Sequence, residues 1–254
     1  MSKIRSHSHL RFLGLHSHIG SQIFVVDGFV AAAERLLDVH AQLLKTGDVP
    51  ELNLGGGFGI AYTEADKPLG IADMATRIMQ AVAAKCASLG IEIPKLAFEP
   101  GRIIAGPAGI TLYSVGTIKD VTVSEEGMGA TRKYVSIDGG MSDNPRPQLY
   151  DAVYRCLVAN RADQPRDQIV TVAGKHCETD ILIWNTPTGV IGEGDVLAVQ
   201  TTGAYNHAMA SNYNRFRRPA VVFVQNGQAD VVYERETLDD LLRQDRLPAR
   251  LQSS

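Results

Sequence analysis

The chain has 254 residues, of which 44% are hydrophobic and 21% charged, so it is long enough for one large domain or two modest ones with a real core. Its formal net charge of -3 gives no reason to expect nucleic acid or an anionic membrane as partner, and no apolar run approaches the ~20 residues of a membrane span. The N-terminus lacks a secretory pattern, and three scattered cysteines predict a reducing, cytoplasmic compartment rather than a disulfide framework.

Strand and helix patterns alternate over the first hundred residues. One helical pattern follows Asp27, a suitable N-cap, and precedes Gly47, a suitable C-terminal stop, while a second helical pattern ends at Gly90. A short apolar run precedes each helix, and this order is typical of βαβ units in a parallel sheet or barrel. The predicted strands cover 13–18, 51–54 and 95–98, and the predicted helices cover 29–44 and 71–89.

After residue 102 the pattern changes to strands separated by turns that contain Gly, Asp and Asn. This composition predicts a mainly antiparallel β-domain, and we place the boundary near residue 105, giving domains over 1–105 and 106–254. The predicted strands cover 110–123, 133–137, 169–172, 196–200, 220–224 and 229–233, and a short polar helix covers 237–242.

Three consecutive glycines, Gly55 to Gly57, follow the second strand in the stretch LNLGGGFGIAY. A strained bend between strand and loop is one explanation and is favoured while the run is taken alone. The other is a phosphate held by backbone N–H groups, which would require close approach to the main chain at all three positions.

Four polar clusters lie at the predicted strand ends or in the β-domain loops, where α/β folds place ligands. Each has an ordinary structural alternative: a capping histidine, a turn, a surface ion pair, or a cysteine that acts as a small core residue. Their occurrence together and in this order favours a binding site. The clusters are HSHIGSQ (16–22), GGG (55–57), EPGR (99–102), and a set formed by NPRPQLY (144–150), GKHCE (174–178) and GAY (203–205).

These motifs resemble the fold-type III pyridoxal-phosphate (PLP) decarboxylases. HIGS, GGGFG and EPGR are general to that class, whereas NPRPQLY and GKHCE are similar to its diaminopimelate branch. The resemblance covers about residues 13–242. It implies an α/β plus β fold: the last three βα units of a (β/α)8 PLP-binding barrel, followed by a mainly antiparallel C-terminal β-domain.

The resemblance also exposes a departure. In the family a lysine at the end of the first barrel strand carries the cofactor, and none of the eight lysines of this chain has that context. The strands around Leu13, Leu52 and Leu96 resemble the sixth, seventh and eighth strands of the barrel. We therefore expect a C-terminal portion of the enzyme that needs the lysine-bearing half, in cis or in trans, for activity.

The resemblance implies specific contacts with pyridoxal 5'-phosphate and no metal. Glu99 would face the protonated pyridine nitrogen through a charge-assisted hydrogen bond, which favours decarboxylation, since a racemase would use arginine there. His18 would pack on the ring, acting as one of the two catalytic residues. The implied cofactor-binding residues are Ser21, Gly56, Gly57, Glu99, Gly101, Arg102 and Tyr205.

Substrate contacts are implied in the same way. Arginine suits bidentate carboxylate recognition, so two arginines indicate a dicarboxylic substrate. Cys177 would be the catalytic thiol that protonates the carbon after CO2 loss, contributed by the neighbouring subunit of a homodimer. Its loop, CETD, is one residue shorter than in many relatives, which leaves the role of Asp180 open. The implied substrate-binding residues are Arg102, Arg146, Tyr150, Glu178 and Tyr205.

Three functions remain open at this point. The first is decarboxylation of meso-2,6-diaminopimelate to L-lysine and CO2, in lysine biosynthesis. The second is a sister decarboxylase of another basic or dicarboxylic amino acid. The third is a non-catalytic, regulatory homologue, which the missing lysine favours and the retained Glu99, Cys177 and Glu178 oppose.

Overall fold

The structure, a computed structural model, describes residues 2–125 and 128–252. The chain forms two compact units that divide after Pro107. No helix within the described ranges is both long enough and apolar enough to cross a membrane.

The first unit is a three-stranded parallel sheet with two long helices. β2 is central and pairs with β1 through Leu52 and Leu15 and with β3 through Leu52 and Leu96. The elements in chain order are α1 (Ser2–Arg5), β1 (Gly14–His16), α2 (Asp27–Leu44), β2 (Glu51–Asn53), α3 (Ile71–Leu89), β3 (Lys95–Ala97) and α4 (Gly101–Ala105).

The core of this unit lies where α2 and α3 pack. Phe29 of α2 stacks on Phe58 with ring centroids 4.7 Å apart, and Leu52 of the central strand is fully buried. The buried residues of α3 recur every fourth position, so they form one apolar stripe along the helix. Those residues are Met74, Ile78, Val82 and Cys86.

The helix ends agree with the sequence pattern in part. Gly90 is the left-handed C-cap of α3, with φ +65°, as its position predicted. The prediction for Asp27 was wrong: it is the first helical residue of α2, where a carboxylate is favourable near the helix N-terminus, and Val26 is the N-cap. Gly47 does not end α2 either, because the helix stops at Leu44.

The sheet of the first unit is open. Within the described residues β1 and β3 each pair on one side only, and the sheet order is β1-β2-β3. A closed eight-stranded barrel is therefore absent from the described part of this unit. This confirms the fold class that the resemblance implies for the first unit, the last three βα units of a barrel.

The second unit contains a six-stranded sheet and a separate hairpin. The strand order is β6-β9-β4-β5-β7-β8, and every neighbouring pair is antiparallel except β5 with β7. The elements are β4 (Ile110–Glu125), β5 (Met128–Ile137), α5 (Arg146–Tyr150), β6 (Cys156–Val158), β7 (Gln168–Ala173), β8 (Ile181–Thr188), β9 (Val196–Gln200), β10 (Val221–Gln225), β11 (Gln228–Tyr233) and α6 (Leu238–Leu242).

The sequence analysis missed β6 and β8. β8 contains Asn185 and Pro187, residues that usually indicate a turn. It is an edge strand of the sheet, where a missing N–H is tolerated, and Asn185 takes φ +43° next to a register shift. The edge position, which is a tertiary feature, makes these turn-type residues compatible with a strand.

A core substitution tests the packing of the first unit. We expect Leu52→Ala to lower the free energy of unfolding by about 2–5 kcal/mol, because the side chain is fully buried on the central strand. Leu10→Ala, at a side chain 54% exposed, should change it by about 0.5 kcal/mol or less. Urea denaturation followed by circular dichroism measures both, and equal losses would contradict this description of the core.

Candidate functional site

Three polar side chains meet at the carboxyl ends of the parallel strands. His16 ends β1, Asn53 ends β2, and Glu99 follows β3 by two residues. The Asn53 amide donates to Glu99 Oε1 at 2.9 Å, and His16 Nε2 lies 3.3 Å from the same oxygen. The Glu99 carboxylate is thus fixed by one side chain from β2 and one from β1, while its own side chain remains 52% exposed.

Backbone packing accounts for the three glycines. A Cβ added to Gly56 would overlap the carbonyl oxygen of Glu99, and one added to Gly57 would overlap that of Gly20. Gly57 also has φ +98°, a conformation that L residues rarely adopt. The loops after the three strands therefore lie directly against one another, and this close contact excludes side chains whether or not a ligand is bound.

The N–H groups of the glycine run have different acceptors. Gly55 donates to Asn53 Oδ1 at 2.8 Å, and Gly56 donates to His18 Nδ1 at 3.3 Å. Since Nδ1 accepts, the proton of a neutral His18 ring lies on Nε2. Among the described residues no protein acceptor receives the Gly57 N–H, so this donor is available to a bound anion.

Arg102 joins the loops around the same site. Its guanidinium donates to Ser21 Oγ at 2.9 Å and to the Tyr62 hydroxyl at 2.6 Å. A hydroxyl that accepts from a guanidinium keeps its own hydrogen for another acceptor. The Ser21 hydroxyl and the adjacent positive charge together form a donor set suited to an anion.

Gln22 connects the loop after β1 to the loop after β2. Its side-chain amide donates to the Ile60 carbonyl at 2.7 Å and accepts from the Ile60 N–H at 3.1 Å. Its backbone has φ +60°, an uncommon value for a residue with a side chain. The sequence analysis gave Gln22 no role, because a reciprocal side-chain bond across 38 residues leaves no local pattern.

Two predicted substrate residues lie on the short helix α5. Arg146 is its first residue and is buried, and its guanidinium donates to the Tyr154 hydroxyl at 2.7 Å. Tyr150 is the last residue of the helix and is 63% exposed. The Arg146 guanidinium is thus held by the Tyr154 hydroxyl, whereas the Tyr150 side chain is open to solvent.

The loop over 174–180 closes on itself through Asp180. The Gly174 N–H donates to the Asp180 carbonyl at 2.7 Å, and the Asp180 carboxylate lies 2.5 Å from His176 Nδ1. The same carboxylate accepts from the Met141 N–H at 2.9 Å. Asp180 and the His176 side chain are buried, so the loop over 174–180 is built around this pair.

Cys177 and Glu178 project from that loop. The Cys177 thiol is exposed, with Sγ 3.5 Å from Glu178 Oε2. The Tyr213 hydroxyl donates to Glu178 Oε1, and the pKa of Glu178 is lowered chiefly by this hydrogen bond. Tyr213 could not be predicted from the sequence, since it lies among turn-type residues in the segment SNYN, 35 residues from Glu178.

Tyr205 has a backbone conformation that is rare for its residue type. Its φ is +66°, in the left-handed region that disfavours bulky L residues. Such strain persists only where surrounding structure enforces it, and it is often associated with functional sites.

The predicted site residues are divided between the two units. The first unit brings its members together around the glycine run, and the second unit places Cys177 next to Glu178. The members of the first unit are His18, Ser21, Gly56, Gly57, Glu99, Gly101 and Arg102, and those of the second are Arg146, Tyr150, Cys177, Glu178 and Tyr205. A single site formed by both sets stays a prediction.

Comparison with known proteins adds independent findings. A family model described as "Pyridoxal-dependent decarboxylase, pyridoxal binding domain" matches residues 1–106. The chain is 46% identical over 253 residues to a diaminopimelate decarboxylase of Bacillus subtilis, covering 96% of this chain and 55% of the relative. It is 49% identical over 246 residues to a diaminopimelate decarboxylase of Synechocystis, covering 96% of this chain and 51% of the relative.

Among solved structures, the diaminopimelate decarboxylase from M. jannaschii in co-complex with L-lysine matches with a TM-score of 0.88 and 31% identity. The match covers 98% of this chain and 55% of that chain. The chain thus spans about half the length of the curated relatives it matches.

A pair of glycine substitutions tests the loop contacts. We expect Gly57→Ala to lower the free energy of unfolding by about 2 kcal/mol or more, since it combines a positive φ with overlap of the Gly20 carbonyl. Gly101→Ala should have little effect, because its added Cβ would meet nothing within 4 Å. Urea denaturation of both variants measures the difference, and a neutral Gly57→Ala would contradict the loop geometry.

Proposed function

We propose that the chain supplies one part of the active site of a diaminopimelate decarboxylase, since residues 1–106 match the pyridoxal binding domain of the pyridoxal-dependent decarboxylases. The activity is decarboxylation of meso-2,6-diaminopimelate to L-lysine and CO2. The high identity to diaminopimelate decarboxylases over nearly the whole chain supports this assignment.

The residues of the first unit fit pyridoxal 5'-phosphate as cofactor. The available Gly57 N–H and the Ser21 hydroxyl beside Arg102 would hold its phosphate, with Gly56 and Gly101. Tyr205, from the second unit, completes the proposed set. When bound, the cofactor supplies a sink for the electron pair that the departing CO2 leaves behind. His18 would hold the ring in place from one face.

The position of Glu99 is the observation that carries the proposal. Its carboxylate is oriented by Asn53 and His16 at the carboxyl end of the sheet, one loop away from the glycine run. A fixed carboxylate there would keep a pyridine nitrogen protonated and so strengthen the electron sink. An arginine at this position would weaken it, and the proposal is therefore decarboxylation rather than racemisation.

The second unit would supply the substrate contacts and the final proton. We propose that Arg146 and Tyr150, with Arg102, bind the distal carboxylate of the substrate and that Glu178 binds its distal ammonium. Tyr205 would contact the substrate as well as the cofactor. Cys177 Sγ would then deliver a proton to the carbon that has lost CO2.

We further propose a homodimer in which Cys177 and Glu178 act in the partner's site. Exposure of both side chains on one loop supports this arrangement, since a residue that serves a second subunit must project from its own. The cytoplasm is the proposed location, because three free cysteines suit a reducing compartment.

Complementation in trans tests the activity. The chain would be co-purified with the lysine-bearing barrel half of the Bacillus subtilis relative, and CO2 and L-lysine would be followed with PLP and meso-diaminopimelate. We expect turnover from the pair and none from the chain alone, because the eight lysines of the chain lack the family context. Turnover by the chain alone, with PLP reduced by borohydride onto one of those lysines, would contradict the expectation.

A variant of the complemented pair tests the role of Glu99. We expect Glu99→Ala to lower kcat by roughly 100-fold or more, through loss of the partner for the ring nitrogen. Glu92→Ala is the matched control at an exposed position ahead of β3, and should leave kcat unchanged. Greater turnover of L-ornithine or L-lysine than of meso-diaminopimelate would favour a sister decarboxylase, and binding without any turnover would favour a regulatory homologue.

A further inference from the structure

A buried histidine–aspartate pair supports the loop that carries the exposed residues Cys177 and Glu178. The His176 side chain is fully buried and its Nδ1 donates to the Asp180 carboxylate at 2.5 Å. Added Cβ atoms on Gly140 and Gly174 would both overlap Asp180 Oδ2, so the carboxylate occupies the space that these two glycines leave. His176 is therefore held by its hydrogen bond to a carboxylate that is itself closely packed.

Tyr213 connects this buried pair to Glu178. Its ring stacks on the His176 ring with centroids 5.8 Å apart and an interplanar angle of 26°. Its hydroxyl donates to Glu178 Oε1, and the following residue, Asn214, places its amide 3.5 Å from the other oxygen. Phe216 contacts the His176 ring edge-on at 4.9 Å, so one aromatic segment covers the buried histidine.

The Cys177 thiol contacts the same carboxylate that Tyr213 contacts. Cys177 Sγ lies 3.5 Å from Glu178 Oε2, the oxygen that Tyr213 leaves free. A carboxylate can accept from several donors at once, so it can hold the tyrosine hydroxyl and the thiol together. The direction of the thiol hydrogen thus depends on where Glu178 is held.

We propose that Tyr213 is a positioning residue that holds the Glu178 carboxylate against the Cys177 thiol. The buried His176–Asp180 pair provides the rigid surface on which the tyrosine ring is seated. Nothing in the proposed chemistry requires Tyr213 to touch substrate or cofactor. Its relevance to catalysis rests on the proposed function of Cys177 as proton donor, whereas the positioning itself is a property of this chain alone.

The Glu178 carboxylate is not held by the neighbouring cation, Lys175, so its position depends on hydrogen bonds. Glu178 is exposed to solvent, and an exposed side chain has several rotamers of similar energy. The nearby ammonium of Lys175 does not pair with it: this group donates to the Asp138 carbonyl at 2.8 Å and lies 4.4 Å from the Phe216 ring centroid. Of the side-chain hydrogen bonds that the Glu178 carboxylate accepts from Tyr213, Asn214 and Cys177, the one from Tyr213 is the shortest.

Thiol reactivity provides a test that needs neither cofactor nor substrate. Cys177 is the exposed cysteine, whereas Cys86 and Cys156 are buried, so alkylation by iodoacetamide reports on Cys177. The hydrogen bond from the Cys177 thiol to Glu178 must open before the sulfur can attack iodoacetamide, so a carboxylate that is held in place slows alkylation. We expect Tyr213→Phe to raise the alkylation rate at pH 8 by about threefold or more, and Glu178→Gln to raise it similarly.

A double variant distinguishes positioning of Glu178 by Tyr213 from a general loss of rigidity in the loop. In a Glu178→Gln background, Tyr213→Phe should have no additional effect, since the group that it positions has been changed. Tyr233→Phe is the matched control in the same unit and should react as the wild type. Mass spectrometry of the peptides containing Cys86 and Cys156 checks that every variant remains folded.

Three results would overturn the proposal. The first is an unchanged alkylation rate in Tyr213→Phe, and the second is an unchanged alkylation rate in Glu178→Gln. The third is that Tyr213→Phe raises the alkylation rate equally in the wild-type and the Glu178→Gln backgrounds. In the complemented enzyme we expect Tyr213→Phe to lower kcat more than it changes KM. A thiol effect with no complemented activity would leave the positioning intact and count against the proposed function instead.

Discussion

The first unit depends on the contact between carbonyl oxygens and glycines at the ends of its parallel strands. The oxygens of Gly20 and Glu99 occupy the places where side chains of Gly57 and Gly56 would lie. This contact brings the loops after β1, β2 and β3 into one layer, in which the side chains of Asn53, His18 and Arg102 reach across from one loop to another. Because the loops touch through their backbones, the polar groups between them are fixed with few degrees of freedom.

The two units contribute different kinds of chemistry. The first presents a carboxylate, a Gly57 N–H with no protein acceptor among the described residues, and a hydroxyl beside a guanidinium. The second presents a thiol and a carboxylate on a loop that is anchored by a buried pair, and a buried arginine held by Tyr154. In the proposed function, the first set immobilises the cofactor, and the second recognises charge and delivers a proton.

Much of the fold could be predicted from local sequence, because its causes are local. The four-residue spacing along α3 and the glycine that ends it define that helix without tertiary information. By contrast, β8 depends on its edge position, Gln22 on a partner 38 residues away, and Tyr213 on a carboxylate 35 residues away. The glycine run lies between these cases: close approach to the backbone was one of its two explanations, but the carbonyl oxygens that approach it belong to distant loops.

The close packing of Gly140 and Gly174 around the Asp180 carboxylate limits how this region can evolve. Gly140 and Gly174 both leave space for one oxygen of Asp180, so the three positions are coupled through a shared volume. A larger residue at either glycine would displace the Asp180 carboxylate, and loss of that carboxylate would leave His176 without its hydrogen-bond partner. Each single change is therefore disfavoured, and we expect the three residues to be inherited together.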